Sequence, residues 1–211
     1  MNDLKHLITR HFRKEGLGEI QEELARIVME EILPWKVEDT DQPNDSQIII
    51  GFAFGFTSGP NGNREPGKIN TLLADAVLQY YEGNPRPVYL QWEIAECLRE
   101  KIDERHLHVI YPTIGQAGEI EYLNTQDVLE EIASGLEGQN LPHTGPALIV
   151  AHRDHLPRCV QLARRMGFQA VAVQSQMPTA YDPLSAQYWT RDRKTYIISD
   201  LISRLAALRN T

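Results

Sequence analysis

The stretch PALIVAHRDHLPRCVQLARRMGFQAVAVQ, residues 146–174, decides the fold. It opens on a continuous apolar run and passes through a turn dense in ionisable groups. From Leu156 to Met166 the apolar residues then recur at helical spacing. Gly167 follows, a residue type that suits a helix C-terminus, and FQAVAVQ is a second apolar run. Strand, helix and strand in this order form a βαβ unit, with parallel strands and a right-handed crossover.

The same alternation extends upstream. SQIIIGFAF (46–54) is an apolar run that ends in the glycine-rich segment GFTSGPNGNREPG, and residues from Asn70 to Tyr81 repeat with helical periodicity. PVYLQW (87–92) predicts a second strand, Ile94, Leu98 and Ile102 a helix, and HLHVIYP (106–112) a third strand. Val128, Leu129, Ile132 and Leu136 mark the next helix, and Ile197, Leu201, Leu205 and Leu208 the last. Five short apolar strands, Ile48–Ala53, Val88–Gln91, His108–Tyr111, Leu148–Ala151 and Ala170–Val173, alternate with helices and predict an α/β fold, a three-layer parallel sheet of about five strands with helices on both faces.

Nearer the N-terminus, Ile20, Leu24, Ile27, Val28 and Ile32 predict an amphipathic helix that Pro34 ends. An acidic, proline-containing loop over 38–45 leads onward. The chain therefore reads as an N-terminal helical extension, residues 1–45, and a main domain, residues 46–211.

With 211 residues, 42% of them hydrophobic, the chain can bury a sizeable core unaided. Cys97 and Cys159 stand far apart and form no CxxC unit, so neither a disulfide framework nor a zinc module is indicated. The opening MNDLKHLITRHFRKEG mixes charged with apolar residues and reads as no secretion signal. No window approaches the run of about 20 apolar residues that a membrane helix needs. The formal net charge of −8 argues against a broad nucleic-acid surface but leaves room for a local basic pocket. We expect a cytoplasmic protein that binds neither membrane nor nucleic acid.

In parallel sheets the ligand lies beyond the carboxyl ends of the strands, so polar residues that follow predicted strands are the candidates. After the first strand, Asn61, Asn63, Arg64 and Lys68 stand among glycines that permit close backbone approach to a ligand. A plain surface loop is the competing reading. Glu93 follows the second strand as a general acid or base, or as a first-turn helix acid. Asn124 and Thr125 open a helix as ligand-orienting groups or as its N-cap.

After the fourth strand, AHRDHLPRC gathers His152, Arg153, Asp154, His155 and Arg158. Arg158 lies three residues after His155, so both can face one side of a helix beside its positive end and hold an anion. The competing reading is an N-capping Asp154 with solvated neighbours. His152-Arg153-Asp154 spells a kinase catalytic triplet, but Cys159 stands where that motif requires Asn, which excludes it. His152 and His155 form HxxH without a third ligand, so no metal is expected. Cys159 reads as a buried structural thiol.

The order of these segments resembles the YdcF/SanA/ElyC-like family, a Rossmann-like group. ALIVAHRDHLPRCVQLARRMGFQAVAV is similar to that family's strand, small-residue turn, His-x-x-Arg, helix, Gly and strand, with His155 and Arg158 at the His and Arg positions. Asn124-Thr125 resembles its Asn-Thr helix start, with Asp127 where Asn is common, and Glu93-Ile94-Ala95 resembles its Ser-Glu-Ala helix start. The chain departs from the family in its first loop, which lacks a glycine run, and in Gln91-Trp92, which replace Ser-Gly-Gly. The resemblance covers about residues 46–173 plus the terminal helix and implies a nucleotide-like or S-adenosylmethionine-like ligand.

Taken together, the expected site binds a small anionic or nucleotide-type molecule through Asn61, Asn63, Arg64, Lys68, Asn124, Thr125, His152, Asp154 and Arg158. His155 and Glu93 are its acid–base candidates, for a transferase or hydrolase. A non-catalytic ligand sensor would share the same pocket. An interaction module that self-assembles through the N-terminal helix is the third expectation.

Overall fold

The computed structural model describes residues 2–114, 120–138 and 145–207. Helices α1 (Asn2–Lys14) and α2 (Gln21–Ile27) come first, and a widened π-turn, Val28–Ile32, extends the second. Strand β1 (Ile48–Gly51) is followed by a small hairpin, β2 (Thr57–Ser58) and β3 (Arg64–Glu65), and then by α3 (Lys68–Gly83). Next come β4 (Val88–Gln91), α4 (Trp92–Glu96) and β5 (Leu107–Ile110). A second small hairpin, β6 (Thr113–Ile114) and β7 (Ile120–Glu121), leads to α5 (Thr125–Gly138). The chain closes with β8 (Pro146–Val150), α6 (Leu156–Arg165), β9 (Gln169–Val171) and α7 (Arg193–Ala207).

The main sheet has the order β5-β4-β1-β8-β9, and every pairing in it is parallel. Ile49 sits opposite Val88 and Leu148, which sets the central register. From β1 the chain moves outward through β4 to β5, then crosses back to β8 on the other side of β1. The strand order therefore reverses between β1 and β8, where doubly wound sheets open a crevice for ligands. Helix α3 packs on α4, and α5 on α6. Right-handed crossovers put these two pairs on opposite faces, which makes the fold Rossmann-like and three-layered.

Consecutive strand residues are buried because helices cover both faces of the sheet. Ile49, Ile50, Leu90, Leu148 and Ile149 are all fully buried, each side chain contributing roughly 1.5–3 kcal/mol. Gly51 has no space for a side chain, since a Cβ there would lie 2.5 Å from Leu90 Cδ2.

The chain forms two compact units, Val37–Ile197 and a smaller one that joins the N-terminal helices to the part of α7 from Ile198 onward. The smaller unit has its own buried ion pair, Arg204 to Asp200 at 2.7 Å. Arg204 also donates to the Pro34 carbonyl and lies 4.3 Å over the Trp35 ring. Among the described residues no helix is long and apolar enough to cross a membrane.

Several expected boundaries move. Strand β1 stops at Gly51 instead of Ala53 because the Ala53 N–H turns to the Gln91 side chain at 2.9 Å. The helix expected through Ile102 ends at Glu96, and tight i to i−3 turns follow, with Glu100 in the left-handed region. Leu98 and Ile102 are nonetheless buried, so their periodicity reported burial and not helix. Helix α1 and both small hairpins were not expected, and Leu208 lies outside the described residues.

Candidate functional site

All five strands run parallel, so their carboxyl ends share one edge of the sheet. Glu93 follows β4 there and His155 follows β8, on either side of β1. Two strand spacings, about 9–10 Å, separate those strands.

The turn after β8 is held from several sides. His152 is fully buried and stacks on Phe54 with ring centroids 3.9 Å apart. Its Nδ1 accepts the Asp154 N–H at 3.2 Å, which leaves Nε2–H to donate to the Ala180 carbonyl at 3.1 Å. Burial brings the imidazole down to about 4, against the upward pull of Asp154, so it is neutral at pH 7. Asp154 is buried, and its Oδ2 accepts hydrogen bonds from the Tyr181 hydroxyl and Arg193 Nε, each at 2.8 Å. Burial pushes that carboxyl up, but these partners outweigh it and hold the group below the usual carboxylate range. Arg153 stands 3.7 Å from the same carboxylate.

His155 is buried and occupies the position just before α6, with Pro157 in the first turn. Its ring meets Phe52 edge-on, and Nε2 lies 3.3 Å from Cys159 Sγ. Arg158 Nη2 is 3.4 Å from His155 Nδ1, and Nη1 donates to Thr125 Oγ1 at 2.9 Å. Thr125 is buried at the start of α5, so this bond ties α5 to α6. Asn124 is exposed and caps α5, its Oδ1 accepting the N–H groups of Gln126 and Asp127, while Asp127 accepts the Asn124 N–H.

The end of β4 is different in character. Glu93 is 1% exposed, and its Oε1 accepts the Tyr122 hydroxyl at 2.8 Å. Its Oε2 is buried with no hydrogen-bond partner among the described residues. Burial pushes the carboxyl up to about 7, against its own backbone N–H, the Tyr122 hydroxyl and the positive charge of Arg64. Arg64, on β3, lies 4.9 Å from the ring centres of both Phe56 and Tyr122, which stack on each other. Its Nη1 is likewise buried without a partner among the described residues. A narrow crevice bordered by Trp92, Tyr111, Pro112 and Tyr122 runs alongside.

Asn61, Asn63 and Lys68 are exposed, the two asparagines in the hairpin loop and the lysine at the first turn of α3. No described contact joins these three to Glu93 or His155.

Sequence reading did not single out Tyr122, Asn70, Tyr181 or Arg193. Buried Asn70 clamps the base of the β2–β3 arm, accepting the Phe54 N–H and donating to the carbonyls of Gly55 and Pro66. Gly55 needs its left-handed φ of 76° here, and a Cβ would lie 2.5 Å from the Ser185 and Thr190 hydroxyls. An asparagine inside an otherwise apolar helical period was the available signal for this clamp. Among the described residues no group of three His, Cys, Asp or Glu side chains is placed to hold a metal. No family model, curated protein or solved structure matches this chain, so the chemistry of its own residues carries the functional reading.

Proposed function

We propose that the carboxyl edge of the sheet, where strand order reverses beside β1, binds a small anionic or nucleotide-type ligand. Arg158 holds the anionic group, Thr125 and Asn124 orient the ligand, and His155 and Glu93 are the acid–base groups. The ligand class includes S-adenosylmethionine-like molecules, and the reaction type is transfer or hydrolysis. The reading also keeps the YdcF/SanA/ElyC-like kinship and a cytoplasmic setting, both of which rest on the sequence pattern alone.

One observation supports it most. Two buried ionisable side chains, Glu93 and His155, follow strands that flank β1 on the same sheet edge. Buried ionisable groups cost stability, and they collect where a ligand or a reaction uses them. A thermal-shift screen of nucleotides, S-adenosylmethionine and phosphosugars tests the reading. A ligand at 100 times its dissociation constant raises stability by about 2.7 kcal/mol, and absence of any shift across the three classes contradicts it. A non-catalytic sensor binds the same ligands without turnover.

A second reading, self-assembly through the smaller unit, is favoured by its exposed apolar side chains. Leu4, Leu7, Ile198, Ile202 and Leu205 are all more than 45% exposed. Sedimentation of Leu7→Glu against the unaltered chain decides it: an unchanged molecular mass contradicts assembly through α1.

A further inference from the structure

Glu93 and Arg64 each bring to the end of β4 a buried polar atom that has no hydrogen-bond partner among the described residues. Tyr122 Oη donates to Glu93 Oε1 and leaves Oε2 over. The Arg64 guanidinium rests on the Phe56 and Tyr122 rings, and its Nη1 is left over. Tyr122 touches both groups, so the two unused atoms belong to one cluster. A buried carboxylate oxygen and a buried guanidinium N–H without partners each cost stability, which a ligand can recover.

The two atoms ask for different things. Arg64 Nη1 can only donate, whereas an ionised Glu93 Oε2 can only accept. A phosphate or carboxylate supplies acceptors alone and sets a negative charge against the Glu93 carboxylate. A hydroxyl does both at once, since it donates to one neighbour while accepting from another. Position agrees with this chemistry. Glu93 stands just beyond the strand next to β1 on the outward path of the sheet, where dinucleotide folds place the acid that reads ribose hydroxyls.

We propose that Glu93 Oε2 and Arg64 Nη1 form a hydroxyl-reading subsite, so that the ligand is a sugar-bearing anion such as a nucleotide. Tyr122 is a positioning residue that fixes the Glu93 carboxyl and carries Arg64 on its ring face. This inference rests on the anionic-ligand reading above and narrows it. The carbohydrate end lies at β4, and the anionic end lies toward Arg158.

Isothermal titration calorimetry on the full chain tests the subsite with AMP, its dideoxyribose analogue, ribose 5-phosphate and inorganic pyrophosphate. AMP is expected to bind about tenfold to a hundredfold more tightly than the dideoxy analogue, the worth of a charged hydrogen bond. Glu93→Gln should close most of that gap, and its circular dichroism should match that of the unaltered chain. Arg64→Gln should weaken AMP and ribose 5-phosphate while sparing pyrophosphate. Equal affinity for AMP and its dideoxy analogue overturns the subsite. Binding of pyrophosphate without either ribose-bearing compound overturns the subsite and leaves the anion site standing. Failure of all four to bind overturns the anion site and the subsite together.

Discussion

The turn after β8 and the end of β4 sit on the same edge of one sheet and treat their buried polar groups in opposite ways. At β8, both ring nitrogens of His152 are engaged, and Asp154 is held by Tyr181 and Arg193. At β4, one oxygen of Glu93 and one nitrogen of Arg64 have no partner among the described residues. Satisfied networks fix geometry, and unsatisfied buried groups store free energy that a ligand can release. His152 and Asp154 therefore build the scaffold, and the Glu93 cluster keeps the unused hydrogen-bonding capacity that the proposed ligand would take up.

The largest effect should come from the scaffold. Asp154→Ala removes the acceptor that Tyr181 and Arg193 share, and hydrogen bonds to a charged group are worth about 1.5–3 kcal/mol each. Since Arg193 is largely exposed, we expect a loss of about 2–4 kcal/mol in urea denaturation. A loss below 1 kcal/mol would mean that this network does not fix the turn. The sign of its pH dependence follows from the depressed carboxyl. Its contribution is present above the unfolded carboxylate pKa and is lost as pH falls through the lower folded value.

Glu93 should behave the other way. Its folded pKa, about 7, lies above the unfolded value, so the native state binds the extra proton and stability declines as pH rises from about 4.3 toward 7. Glu93→Gln keeps the shape of the neutral acid. It should leave stability unchanged near pH 4 and raise it by about 3–4 kcal/mol at pH 8. Parallel stability curves for the two proteins would remove Glu93 from the class of strained groups.

Arg158 sharpens the contrast through binding. A guanidinium grips an anion through its planar fork, so Arg158→Lys should weaken pyrophosphate nearly as much as Arg158→Ala, by about tenfold to a hundredfold. Unchanged affinity in both variants would assign Arg158 to its structural contacts, the bond to Thr125 among them. The smallest effect belongs to Asn124, whose side chain also caps α5. Asn124→Ala should cost about 1 kcal/mol of stability and about threefold to tenfold in affinity, and unchanged affinity would confine Asn124 to its cap.

How far the sequence revealed this follows from what each feature depends on. The five strands were legible because strands buried on both faces read as continuous apolar runs. β4 begins and ends where expected, at Val88 and Gln91, and the other four shift by one to two residues at one or both ends. The placement of Glu93 and His155 on one edge was legible because a parallel sheet sends every strand end there. The partners were not. Tyr181 lies 27 residues from Asp154 and Arg193 lies 39, and nothing local links such pairs. The hairpin strands are two residues long, too short for alternation to show. Helix α1 mixes Leu4, Leu7, Ile8 and Phe12 with Lys5, Arg10 and Arg13, and its charges concealed the helical period.

Carbon-detected NMR titration of the Glu93 side-chain carboxyl in the full chain, alone and with saturating AMP, separates a ligand-reading carboxyl from a structural one. A midpoint near 7 in the free protein is predicted. It should move downward with AMP, because a ribose hydroxyl that donates to Oε2 favours the ionised form. A midpoint in the ordinary carboxylate range, or one near 7 that AMP leaves in place, would contradict the account.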